Sequence, residues 1–287
     1  MSKANTKNGV VMRIGAAKGF FCFRLKANAV VAVVFLFGLN DASALERFDL
    51  LLVSIDRTVL TPIGALSRQN VLEQTPEGPS RIKSVPLPAN ARIAGLDQIA
   101  DTLFFVPDIA VNIAGITITP RDIARVTPTG NLSKEISASD LSLEPPAKIS
   151  AITQHQDGFL FSLDITSELN GLNATPQDVL YYNGQSVSLH VAGEPLGIAK
   201  TSAISGLGTS HQGNIIFSTT SASADGVASQ QRGALYLFTE SSNSIERVAD
   251  YRETLGSCLS CEISAVTGQL NEDVIFRSSF NSNWEAQ

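Results

Sequence analysis

Short apolar stretches, separated by turn residues, recur along the chain and predict β-strands. The segment 149–191 is the clearest case, because four such stretches follow one another within it. Asp-Gly and Asn-Gly pairs, which favour tight hairpin turns, separate the first stretch from the second and the third from the fourth. We therefore predict strands A to D at Ile149–Thr153, Phe159–Leu163, Asp178–Tyr182 and Ser186–Val191.

The polarity within these strands predicts which faces are covered. Strand B is apolar almost throughout, which is typical of a strand with both faces buried. Strand D alternates, with Val187, Leu189 and Val191 on one side. Ser186, Ser188 and His190 occupy the other side, so strand D is expected to be a half-exposed outer strand.

The four-strand pattern repeats along the chain. Residues 93–126 align with residues 149–182 at a constant offset of 56, and 10 of these 34 positions are identical. Weaker copies divide the rest of the chain into repeats at about 48–92, 204–262 and, in part, 263–287, beside the central repeats 93–148 and 149–203. Four antiparallel strands per repeat of about 55 residues are typical of a propeller blade. The predicted fold is therefore an all-β propeller of four to five four-stranded blades.

The number of blades stays open, because the strands at the two ends do not complete a whole repeat. The first is a B strand at Leu50–Ile55, and a further B strand is predicted at Val274–Ser278. One solution is five blades with incomplete first and last blades. Another is a four-bladed ring in which a C-terminal strand A completes the N-terminal blade. The third is a truncated chain with an open ring.

The N-terminus has the layout of a secretory signal peptide, which we assign to residues 1–44. Six basic residues precede the apolar run Ala29–Leu39, and the small residues Ala42-Ser43-Ala44 follow it. An uncleaved anchor is the alternative. Residues 45–287 are then a single propeller domain, secreted or periplasmic.

The net charge that remains after removal of the leader limits the classes of partner that the protein is expected to bind. Residues 45–287 contain 15 basic and 26 acidic residues, a net charge of −11. Nucleic-acid binding requires clustered Lys and Arg, so nucleic acid is not expected as a partner. No later apolar stretch has the length of a membrane span.

The loops between strands B and C carry recurring acidic residues. Each begins at Asp56, Asp108 or Asp164, and two of them end at Asp122 or Asp178. All B–C loops of a propeller emerge on one face, and calcium prefers several oxygen ligands, so these five aspartates are candidate metal ligands with calcium as the ion. The alternative is structural, because Asp at a strand end also accepts backbone N–H groups and closes the loop.

Cysteine and histidine give weaker signals. Cys258 and Cys261 are expected to form a local disulfide, since the exported compartment is oxidising. His155 and His211 are expected at equivalent A–B turns and His190 on an outer strand, so no histidine cluster is expected.

The repeat resembles that of bacterial exported β-propeller proteins in the Asp157-Gly158 turn, the strand ending at Asp164, Gly171 and Asp178-Val179. The resemblance implies the architecture and leaves the activity open, because propellers carry many activities. The first functional hypothesis is a non-enzymatic module that binds a protein or small-molecule ligand through one loop face, stiffened by calcium. The alternatives are a metal-dependent, lactonase-like hydrolase and a truncated, non-functional fragment.

Overall fold

A computed structural model describes residues 48–61, 63–75, 78–210, 213–220, 234–250 and 263–270. All of them belong to one compact unit, Leu39–Gln287. Some of the sequence predictions lie outside the described residues: the signal peptide 1–44, the cysteines Cys258 and Cys261, His211 and the strand 274–278.

Four antiparallel sheets of four strands, which we call blades 1 to 4, make up the fold. From the inside outward, blade 1 consists of β22 (Ile263–Leu270), β1 (Phe48–Ile55), β4 (Asn70–Thr75) and β5 (Gly78–Ser84). Blade 2 consists of β6 (Ile93–Ile99), β7 (Thr102–Pro107), β10 (Ile123–Val126) and β11 (Leu132–Ile136). Blade 3 consists of β12 (Ile149–His155), β13 (Gly158–Leu163), β16 (Val179–Tyr182) and β17 (Val187–Val191). Blade 4 consists of β18 (Ile204–Thr209), β19 (Ile215–Thr219), β20 (Ala234–Thr239) and β21 (Ser244–Asp250).

Shorter elements connect these strands. Three two-stranded hairpins lie in the B–C loops: β2 (Val59–Thr61) with β3 (Gly64–Leu66), β8 (Val111–Ile113) with β9 (Ile116–Ile118), and β14 (Ser167–Leu169) with β15 (Leu172–Ala174). A single 3₁₀ turn, Glu240–Ser242, is the one helical element in the described ranges. No helix there is both long and apolar enough to cross a bilayer.

The blades are arranged as a four-bladed β-propeller, which confirms the predicted fold class. The innermost strands β22, β6, β12 and β18 contact one another in turn around an axis. Each blade buries its faces against its neighbours through four apolar clusters, and one of these joins blade 4 to blade 1. The individual sheets stay open.

Blade 1 is completed by the C-terminal strand, as in the second arrangement considered from the sequence. The strand β22 pairs antiparallel with β1, with Val53 opposite Val266. Ala265 of β22 is fully buried in the apolar cluster between blades 1 and 2. The first blade therefore takes one strand from the far end of the chain.

The second strand of each blade forms the core, as the sequence predicts. Every residue of β13 is buried. Phe105, Phe161 and Phe217 follow one another at intervals of 56 residues, and all three are fully buried. Burial of one such ring contributes about 2 to 3 kcal/mol, so these three positions anchor the contacts between blades.

The predicted alternation of strand D is wrong at two positions. Leu189 is 44% exposed, whereas His190 is half-buried. A register shift in the pairing of β16 with β17 causes the difference, because Val179 pairs with Val191 but Leu180 pairs with Leu189. The extra residue of this bulge, His190, turns away from the outward side that simple alternation assigns to it.

A buried carboxylate connects three innermost strands. Asp97 of β6 accepts hydrogen bonds from the backbone N–H of Gln154 in β12 and from the hydroxyl of Thr267 in β22, as well as from the N–H of Gln98. Burial raises the pKa of Asp97 to about 6, and these neutral donors offset only part of the effect. Asp97 therefore holds blades 1, 2 and 3 together at the axis while carrying an unfavourable buried charge.

Substitution of Asp97 is expected to change how stability depends on pH. The folded pKa of about 6 lies above the ordinary value of 3.8, so the folded state binds the proton more tightly than the unfolded state. The contribution of Asp97 is then largest below pH 4 and falls as the pH rises through 6, by about 3 kcal/mol in total. The unfolding free energy of the wild type minus that of D97N should therefore be larger at pH 4 than at pH 7. Chemical denaturation at both pH values measures this, with D101N at an exposed aspartate as the control; a pH-independent difference contradicts the assignment.

Candidate functional site

A pocket of about 620 Å³ lies on the face that carries the B–C loops. Its described lining comes from the starts of the innermost strands of blades 2, 3 and 4 and from the loops beside them. The residues that matter for its chemistry are Arg92, Asp108, Lys148, Asp164, Lys200 and Thr220. Ala94, Ser150 and Ser205, each the second residue of its innermost strand, also line it. We call this cavity the axial pocket.

The B–C loops that flank the pocket are themselves built as small hairpins. Two of them turn at two-residue loops in which both residues have positive φ, Ala114-Gly115 (51° and 84°) and Asn170-Gly171 (52° and 86°). Such turns match the twist of paired strands, and glycine adopts the second conformation without strain. The short strands on either side of these glycines were not predicted from the sequence.

Asp108 and Asp164 each close the first strand pair of their blade. The carboxylate of Asp164 accepts the backbone N–H of Lys148 at 2.7 Å, and the N–H of Asp164 donates to the carbonyl of Lys148. Asp108 forms the same pair of bonds with Arg92 and accepts a further one from its guanidinium at 3.1 Å. These bonds are the ones expected if Asp108 and Asp164 serve to close their loops.

Blade 4 makes the same closure without a carboxylate. The hydroxyl of Thr220 accepts the N–H of Ala203 at 3.1 Å, and the N–H of Thr220 donates to the carbonyl of Ala203. The position therefore requires an acceptor on a short side chain rather than a negative charge.

Asp122 and Asp178 close the other end of their loops. One oxygen of Asp178 accepts both the N–H and the hydroxyl of Thr175, and the other accepts the N–H of Gly193. Asp122 repeats this pattern with Thr119 and Ala138.

Asp122 has one further partner. Its carboxylate lies 2.9 Å from the ammonium of Lys134. Burial by itself would raise the pKa of Asp122, but Lys134 and the N–H donors outweigh burial and hold that pKa below its ordinary value. Both oxygens of each of these two aspartates are thus already occupied within their own blades.

The five candidate metal ligands are not brought together at one point. Asp108 and Asp164 line the axial pocket, Asp122 and Asp178 do not, and Asp56 forms a salt bridge with its neighbour Arg57 at 3.0 Å. In the described part of the chain, no three His, Cys, Asp or Glu side chains are placed to hold a metal ion. Calcium binding by these aspartates stays a hypothesis from the sequence, which the calcium titration described below tests.

Two histidines do meet, contrary to the sequence expectation. The rings of His155 and His190 lie 5.1 Å apart, and Nε2 of His190 lies 3.4 Å from Glu240 in blade 4. The bulge in β17 is the reason, since it turns His190 towards the neighbouring blade. Burial, and then the neighbouring His190, lower the pKa of His155. This pair lies outside the axial pocket.

The basic residues of the axial pocket were missed by the sequence comparison. Arg92 and Lys148 stand immediately before the innermost strands of blades 2 and 3, at the same offset of 56 that relates the two repeats. A basic residue at equivalent positions directly before the aligned segments was the available signal.

Comparisons with known proteins assign no family. No family model and no curated protein matches the chain. Solved structures that resemble it include streptogramin B lyase, with 12% identity, a TM-score of 0.28 and coverage of 68% of this chain and 54% of that one. The extracellular domain of a putative one-component system from B. thetaiotaomicron has 12% identity, a TM-score of 0.30 and coverage of 69% and 28%. PorZ, a surface component of the type-IX secretion system of Porphyromonas gingivalis, has 8% identity, a TM-score of 0.29 and coverage of 68% and 20%. The matched chain thus spans about half or less of the length of these proteins.

If Asp164 serves to close its loop, substitutions at this position should rank in stability by whether they keep a hydrogen-bond acceptor. D164T should keep the bond to the N–H of Lys148, because Thr220 already makes that bond in blade 4. D164V has the same shape as D164T but lacks the acceptor, so it should be less stable by about 1 kcal/mol. Urea denaturation of the two variants measures the difference. Equal stabilities would show that the bond is not the reason for an acceptor at this position.

Proposed function

We propose that this protein is an exported, non-enzymatic binding module that takes a small-molecule ligand into the axial pocket. One observation carries the proposal: three successive blades contribute corresponding residues to a single cavity. Its volume of about 620 Å³ falls within the range of small-molecule sites, roughly 300 to 1,000 Å³. Export rests on the leader at residues 1–44.

The bonds made by the pocket carboxylates support binding rather than metal-dependent hydrolysis. A hydrolase of the lactonase type requires at least three oxygen ligands that converge on one ion. Asp108 and Asp164 share the pocket, but each one holds a backbone N–H of its own blade. Asp122 and Asp178, with both oxygens engaged, lie elsewhere. Hydrolysis stays the second candidate because two carboxylates do line one cavity.

The interpretation as a truncated fragment has less support. Blade 1 receives its innermost strand from β22, and an apolar cluster joins blades 4 and 1. All four blades thus have four strands and a partner on each side.

Obstruction of the axial pocket is the direct test of the proposed site. Ala94 lines the pocket, so A94W is expected to fill it and abolish the binding of any small molecule that enters there. A110W, at an exposed loop position of the same blade, is the control. Thermal-shift screening of a diverse small-molecule library against the three proteins measures the effect, because a ligand of the folded state raises the melting temperature. Library hits that stabilise A94W as much as the wild type would place binding elsewhere.

Calcium titration tests the metal hypothesis separately. We expect millimolar calcium to leave the melting temperature unchanged, because the guanidinium of Arg92 already pairs with Asp108 and Lys148 lies beside it. A rise that D108N or D164N abolishes would instead support the calcium site and, with it, the hydrolase candidate.

A further inference from the structure

The lysines that follow residue 44 divide equally between ion pairs and the axial pocket. Only four lysines follow residue 44. Lys83 and Lys134 form salt bridges with Glu73 and Asp122 at 2.5 Å and 2.9 Å. Both of the others, Lys148 and Lys200, line the axial pocket.

The two pocket lysines lack a carboxylate partner among the described residues. Within the described ranges, the ammonium of Lys148 donates to the backbone carbonyl of Asp108 at 3.4 Å and to no carboxylate. No salt bridge involves Lys200 within the described ranges, although its backbone carbonyl accepts a bond from Gln177. The protein has a net charge of −6. Against this background, two ammonium groups that have no carboxylate partner within the described ranges form a local positive site beside one cavity.

Arg92 adds a third positive charge. Its Nε pairs with Asp108, and among the described residues the terminal guanidinium nitrogens have no carboxylate partner, so they are placed to meet a ligand. The pocket thus holds three cationic side chains against two carboxylates, and both carboxylates are engaged in closing their own blades. An anion is the ligand charge that this balance favours.

The lining is not only charged. Ile109 and Ile165, 56 residues apart, follow the two pocket aspartates and line the cavity, and Ile165 is 38% exposed. The cavity is also far larger than an inorganic ion requires. An apolar body attached to the anionic group would cover these two side chains.

We infer that the axial pocket binds a small organic anion, in which a carboxylate, phosphate or sulfonate group meets Lys148, Lys200 and Arg92 and an apolar body packs on Ile109 and Ile165. The inference rests on the proposed binding function and names its ligand class.

A pair of dyes that differ in charge tests the inference. Anilinonaphthalene sulfonate carries an anionic group on an aromatic body, and N-phenylnaphthylamine is its neutral counterpart. Fluorescence titration of the purified protein should give one saturable site for the anionic dye, much weaker binding of the neutral dye, and loss of the site in A94W. Raising the salt concentration from about 50 to about 500 mM should weaken the binding of the anionic dye.

Charge variants then identify the groups that hold the anion. K148Q/K200Q should bind the anionic dye about tenfold more weakly. The variant is expected to fold, because neither ammonium takes part in a salt bridge in the described ranges. R81Q removes one positive charge at an exposed position of β5 and should leave the affinity unchanged. The dye should be displaced by octanoate and by octyl phosphate, and not by octanol, which lacks an acidic group. The concentrations of octanoate and octyl phosphate that displace half of the dye then show whether the site prefers a carboxylate or a phosphate.

The outcomes separate this inference from the proposed function. If both dyes bind equally and A94W blocks both, the pocket is a binding site without a preference for anions. If K148Q/K200Q binds the anionic dye as tightly as the wild type, the two lysines do not hold the anionic group. Either result overturns the inference and leaves the proposed function standing. If A94W changes the binding of neither dye, the proposed function fails together with the inference.

Discussion

Mutual packing of neighbouring blades is the constraint on which the whole structure depends. A four-stranded sheet with an apolar second strand exposes two apolar faces, and only a neighbour on each side can cover both. The fully buried Phe105, Phe161 and Phe217 show this in three successive blades. Blade 1 meets the requirement by recruiting β22 from the far end of the chain. Asp97 then links the innermost strands of blades 1, 2 and 3 through neutral donors, so the axis combines apolar packing with one buried carboxylate.

The same architecture creates the axial pocket. Since the innermost strands of blades 2, 3 and 4 start on one face, the residues immediately before those three strands line one cavity. Asp108, Asp164 and Thr220 fasten these starts to the ends of the adjacent strands, and this fixes the backbone positions of Arg92 and Lys148. The aspartates therefore act as positioning residues for the cavity wall, whereas the proposed binding of an anion relies on its basic side chains.

The spacing of the repeats made the fold predictable from the sequence, whereas the residues of the axial pocket could be grouped only in the folded structure. An offset of 56 residues identified the blades, and the turn pairs around Gly158 and Gly184 located their strands. The bulge at His190 could not be predicted, because one inserted residue leaves no mark in the polar pattern of so short a strand. The loop aspartates stood out because they recur, yet recurrence reflects the closure that each blade needs. Lys200 has no equivalent in the aligned repeats, so only the folded ring shows that it shares a cavity with Lys148.

Closure of the ring by β22 is the central claim, and amide hydrogen exchange tests it most directly. If β22 is an integral innermost strand, its amides hydrogen-bonded to β1 should exchange as slowly as those of β6 and β12, through global unfolding alone. Exchange of the residues 263–270 that is orders of magnitude faster than that of β6 and β12 would contradict the account, because blade 1 would then lack a stable inner strand.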